Sequence, residues 1–76
     1  MNRLRRAALA KIQEKLEELQ AEIEMLAEEE EEYRDNIPEN LQTSERYEKA
    51  DQACDNLNYA VDSISELIDY ITDAQE

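Results

Sequence analysis

Five consecutive glutamates, Glu28 to Glu32, and a second set of acids spaced seven apart, Glu48, Asp55, Asp62, Asp69 and Glu76, hold most of the chemical capacity of this chain. Neighbouring carboxylates can act as an acid and a base, ligate a cation, or offer negative charge to a basic surface. Acid–base catalysis needs a cleft that drives two carboxyl pKa values apart, and a chain that reads as paired helical rods builds none. A calcium loop alternates oxygen ligands around a glycine, whereas this chain has no Gly; zinc would find no His and only Cys54. No enzyme, metal site or cofactor is therefore expected. Recognition by charge is what remains.

The balance of 21 acids against 8 bases gives a formal net charge of −13. Such a chain repels nucleic acid and anionic membrane and attracts basic protein surfaces. The bases are unevenly placed: Arg3, Arg5, Arg6, Lys11 and Lys15 open the chain, Arg34, Arg46 and Lys49 follow, and none occurs in 16–33 or 50–76. Lys11, Gln13 and Glu14 interrupt the basic start before a signal-peptide core can form. Nothing approaches the ~20 apolar residues of a membrane span. The single Cys54 cannot form an internal disulfide and fits a reducing compartment, so a cytoplasmic location is expected.

To hold acids in a fixed array the chain must supply rigid elements, and its composition points to helices. Trp, Phe and His are missing along with Gly, while Ala, Glu, Leu, Lys, Gln and Arg dominate. Apolar residues in the first half alternate steps of three and four: Leu9, Ile12, Leu16, Leu19, Ile23, Leu26, then Glu30 and Tyr33. In heptad notation these are positions a and d. The second half repeats the rule with Tyr47, Ala50, Cys54, Leu57, Val61, Ile64, Ile68 and Ile71. Between them Pro38 removes a backbone donor and pushes Ile37 toward extended geometry, which ends the first helix. Asn36, Thr43 and Ser44 are capping residues beside it.

The reading is all-α: one domain, 1–76, an antiparallel two-helix coiled-coil hairpin with helices at about 3–34 and 44–75 and a turn at 35–43. Antiparallel pairing sets an a residue opposite a d residue. Leu26 with Cys54, Ile23 with Leu57, Leu19 with Val61 and Leu16 with Ile64 all have residue numbers totalling 80. Folding back also brings Arg3, Arg5 and Arg6 toward Asp69, Asp73 and Glu76, which predicts ion pairs at the open end. Ile37 and Leu41 are placed to close the other end over Tyr33 and Tyr47.

One column is surplus to a two-helix seam. Ala53, Ala60, Leu67 and Ala74 recur at position g, and a second hairpin packed there makes a homodimeric four-helix bundle. The acids expected to meet a partner are Glu17, Glu24, Glu28 and Glu31 on the first helix with Glu48, Asp55, Asp62, Glu66, Asp69 and Asp73 on the second. Tyr59 and Tyr70 lie outside the seam and are candidate aromatic contacts. Acids in the base-free stretches average one per about 2.5 Å of paired helix, against one charge per ~1.7 Å in duplex DNA. The bland reading is that a charged face keeps a bundle soluble. Against it, an ordinary solvated face mixes signs in i, i+4 pairs, and here only Glu30 with Arg34 and Glu45 with Lys49 are so spaced, both near Pro38.

The segment EEEEEYRDNIPENLQTSERYEKADQACDNLNYAVDSISELIDYI resembles short uncharacterised acidic helical proteins of phages and prophages of low-GC Gram-positive bacteria. The likeness lies in the basic start, the Glu-rich first helix, the N-[MI]-P-E-N-L-Q turn followed by S-E-R, and the closing helix with regular Asp and Ile. It implies a phage-linked setting in a host cytoplasm and no established activity. Two functions follow as expectations. One is a non-enzymatic inhibitor of the anti-CRISPR or anti-restriction class, occupying a basic nucleic-acid-binding surface as a DNA mimic without touching nucleic acid or membrane. The other is a structural or adaptor coiled coil that recruits a partner helix.

Overall fold

Three arginines in a first turn oppose the helix dipole, so the first helix needs another reason to start where it does. Asn2 provides it: its side-chain oxygen accepts a hydrogen bond from the Arg5 backbone N–H at 2.8 Å, and α1 runs Arg3–Asp35. The computed structural model describes every residue from Met1 to Glu76. Pro38 is followed by a single 3-10 turn, Glu39–Leu41, and then by α2, Glu45–Ala74. No residue has positive φ, so the reversal is made without any left-handed position and without glycine.

Ser44 starts α2. Its hydroxyl accepts from the Tyr47 backbone N–H at 3.3 Å and donates to the Leu41 carbonyl, while Glu45 and Glu48 complement the dipole in the first turn. Ser44→Ala is expected to cost about 1 kcal/mol, lowering the melting temperature by roughly 4–8 °C in a chain this size. A melting curve followed by circular dichroism checks this, and an unchanged midpoint would count against the cap.

The two helices fold back as an antiparallel hairpin, a rod of 59 × 15 × 12 Å. Its radius of gyration is 17.3 Å, where a compact chain of this length would have about 11 Å. The turn is closed by Ile37, only 3% exposed, while Leu41 stays 45% exposed, so one residue plugs the end rather than two.

The interface departs from the simple a/d seam on one helix only. On α2 the seam stands: Ala50 and Cys54 are buried, and Tyr47, Leu57, Val61, Ile64, Ile68 and Ile71 are half-buried. On α1 the a residues Leu9, Leu16 and Ile23 face in, but Ile12, Leu19, Leu26 and Tyr33 at d are 43–55% exposed. Their place is taken by position e: Gln13 and Gln20 are half-buried, Ala27 is 4% exposed and Arg34 is half-buried. Relative to a symmetric seam, α1 is turned by roughly 50° about its axis.

Hydrogen bonds between the two e columns hold that rotation. Gln20 donates to Ser65 Oγ at 2.7 Å and to the Val61 carbonyl at 3.0 Å. Gln13 accepts from Gln75 at 2.9 Å and Thr72 at 3.3 Å, and Arg34 donates to Asp51 at 3.0 Å. Gln20 with Ser65, Gln13 with Thr72 and Arg34 with Asp51 are e–e partners of the very layers that pair a with d, so the axial register is that of the heptads. Ala27, Ala50 and Cys54, all small, are the fully buried residues of the seam.

Candidate functional site

Turning α1 divides the hairpin into two unlike flanks. Viewed down a helix, e and b lie to one side of a, and d and g to the other. In an antiparallel pair the e columns meet on one flank and the g columns on the opposite one. The e–e hydrogen bonds therefore mark one flank, and both b columns border it: Glu17, Glu24 and Glu31 from α1, and Glu48, Asp55, Asp62 and Asp69 from α2. These seven acids form two rows along the rod with an uncharged hydrogen-bonded ladder between them over most of its length. Glu31 is half-buried and accepts from Asn58 of the opposite helix at 3.4 Å; the other six are exposed.

Glu28, Glu66 and Asp73, at position f, sit further round on the outer backs of the helices and extend the acid surface rather than the rows. Tyr59 and Tyr70 part company. Tyr59, 68% exposed, stands one helical turn from both Asp55 and Asp62, whereas Tyr70, 73% exposed, lies at position c beside Leu67 and Ala74.

None of these ten acids is in an ion pair. The three pairs in the molecule are Arg34 with Asp35 at 3.1 Å, Arg34 with Asp51 at 3.0 Å and Lys49 with Glu45 at 3.1 Å. The expected bridges from Arg3, Arg5 and Arg6 to Asp69, Asp73 and Glu76 do not form. With the Arg34 charge committed to the turn end, the long acid rows have no internal counter-charge. Hydrogen bonds to Asp35 and then to Asp51 push the Arg34 guanidinium further above its ordinary range, locking it as a cation.

The opposite flank carries the displaced d column of α1 and the g column of α2. Ile12 is 45%, Leu19 50%, Leu26 55% and Leu67 44% exposed; Ala53 and Ala60 are half-buried and Ala74 is exposed. At its turn end, Glu30, Tyr33, Glu45, Arg46, Lys49 and Ala50 line an open depression. There the Arg46 guanidinium donates to the Tyr33 hydroxyl at 2.7 Å and lies 5.2 Å from its ring centre.

Cys54 is 1% exposed, and burial, with a smaller push from Glu31, Glu30 and Asp51, raises its thiol pKa despite the opposing pull of Arg34. A raised folded value means that the folded state holds the proton longer. The stabilisation it represents is complete below the ordinary thiol pKa of about 8.5 and is lost as pH rises through the folded value. Alkylation at neutral pH is expected to be at least about a hundredfold slower than in urea, because the thiol must wait for the hairpin to open. Equal rates, timed by mass spectrometry, would show that the seam is open at Cys54.

No group of Cys, Asp and Glu side chains is arranged to hold a metal ion, and no helix is long and apolar enough to cross a membrane. Comparison with protein-family models, curated proteins and solved structures finds nothing that matches the chain.

Proposed function

We propose that this hairpin is a non-enzymatic binding protein whose acidic flank occupies the nucleic-acid-binding surface of a basic protein. What carries the reading is the pair of acid rows on one flank whose carboxylates pair with no cation, the one arginine beside them being held by Asp35 and Asp51. Like charges held this close repel, which costs stability, and an ordinary solvated face avoids that cost by interleaving signs. Two parallel rows of carboxylates separated by a polar strip offer a basic channel what a nucleic acid offers: regularly spaced negative charge on a stiff support. Successive acids in a row are about 10.5 Å apart at 1.5 Å per residue, and the two rows together supply intermediate positions. Tyr59, set among the α2 acids, adds an aromatic anchor of the kind enriched at interfaces.

With the phage-linked setting that the sequence resemblance implies, the activity we propose is that of an inhibitor of host nucleic-acid enzymes, of the anti-CRISPR or anti-restriction class. The test is competition. Host proteins retained on the immobilised hairpin should be nucleic-acid-binding proteins, should be released by added duplex DNA or RNA, and should leave more readily as salt rises. Retained proteins that ignore both nucleic acid and salt would overturn the proposal.

A further inference from the structure

We propose that the flank opposite the acid rows is closed by a second copy of the same chain, in a twofold dimer whose two hairpins point in opposite directions, with the dyad at Leu19 and Ala60. The inference stands independently of what the acid rows bind.

Area is the first argument. The hairpin exposes 5969 Å², where a compact monomer of 8.9 kDa exposes roughly 4,800 Å². The excess of roughly 1,150 Å² is more than the ~800 Å² that each partner contributes to a standard interface. Only Ala27, Ile37, Ala50 and Cys54 are buried, and Ile37 is the single large hydrophobe among them. Meanwhile Ile12, Leu19 and Leu26 stand in line, each about half exposed, on a helix turned away from its own partner.

Charge selects the occupant. All eight acids of α2 fall at b, e or f, so its g and c columns carry none: Ala53, Ala60, Leu67 and Ala74, with Asn56, Ser63 and Tyr70 beside them. In a chain of net charge −13, this is the strip on which a like-charged copy meets least repulsion. Along α1 the same flank is basic at its start, with Arg5, Lys11 and Lys15, and acidic from Glu18 onward, with Glu22, Glu29 and Glu32. Such a gradient complements itself only when reversed.

Reversal about Leu19 sets Arg5 level with the second copy's Tyr33, Ile12 with its Leu26, and Lys15 within one residue of its Glu22. Reversal about Ala60 sets Ala53 level with the second copy's Leu67, large against small. The two dyad residues are within one residue, about 1.5 Å, of the same height, since position 19 lies opposite Val61 in the heptad register. The five-glutamate runs of the two copies then lie at opposite ends of the rod. A dimer with both turns together would set them side by side and leave Lys11 and Lys15 without acids. The first-turn arginines, unpaired in the hairpin and unfavourable to their own helix dipole, also gain partners.

Sedimentation equilibrium of the full chain from micromolar to millimolar concentration should give a dimer mass. In a Cys54→Ala background, Leu19→Cys chains should cross-link to one another through a short bis-maleimide. A mixture of Ala53→Cys and Leu67→Cys chains should cross-link as unlike pairs, and Asp62→Cys chains on the acid flank should stay unlinked. Leu19→Glu should raise the dimer dissociation constant about a hundredfold or more, because it places a charge at the dyad. That variant could also unfold, so mass and cross-linking decide. A helical monomer at every concentration overturns the proposal, including one whose apolar flank takes up a foreign helix. Ala53→Cys chains that link readily to one another would overturn the reversed orientation by placing the turns together.

Discussion

Ile37→Ala is expected to remove most of the stability of the hairpin. Truncating a buried Ile costs about 2–5 kcal/mol, and a chain of this length holds about 3–5 kcal/mol in a single core. Ile37 is 3% exposed at the one place where the chain reverses, its backbone N–H donates to the Arg34 carbonyl at 3.1 Å, and Pro38 restricts its geometry. Urea titration followed by circular dichroism should show the midpoint falling toward zero denaturant for the alanine variant, and a smaller loss of about 0.5–1.5 kcal/mol for Ile37→Val. An alanine variant with the parent midpoint would mean that the turn is held by Pro38 and Ser44 alone.

The second large effect is on partner binding. Reversing Asp55, Asp62 and Asp69 to Lys should weaken capture of a basic nucleic-acid-binding partner by about a hundredfold or more, since three attractive contacts become repulsive ones. All three side chains are exposed and unpaired, so helix content and melting should barely move. The Asn versions should give an intermediate loss that shrinks as salt rises, which is the mark of a Coulombic contact. A partner bound equally well by the parent and the lysine variant would exclude the acid rows from its recognition.

The helical hairpin was legible because it rests on two periodic signals and one interruption. Heptads in each half specify long helices, Pro38 specifies where the first must stop, and matching layers on either side specify that they fold back. The rotation of α1 was not legible from the apolar pattern. That pattern puts Ile12, Leu19 and Leu26 in the seam, and the molecule turns them out because Gln13, Gln20 and Arg34 find hydrogen-bond partners on α2. The signal existed: Gln13, Gln20 and Arg34 at e face Thr72, Ser65 and Asp51 at e in a constant register. It was masked because polar e positions are ordinarily read as solvent-facing. The acids themselves were plain in the composition, but which of them share a flank depends on that rotation. For the same reason the open-end ion pairs failed, since proximity along the rod does not fix which way an arginine on a turned helix faces.

The length of the rod, 59 Å from end to end, bounds what it can cover. A duplex held in a protein channel winds, so its phosphates return to the same side only once in ~34 Å. The α2 acids from Glu48 to Asp69 extend about 32 Å at 1.5 Å per residue. A rail of that length can shadow a single helical repeat, about ten base pairs. In the proposed role its acid rows would therefore cover one short reach of channel, and an enzyme gripping DNA over several repeats would keep the remainder of its track open.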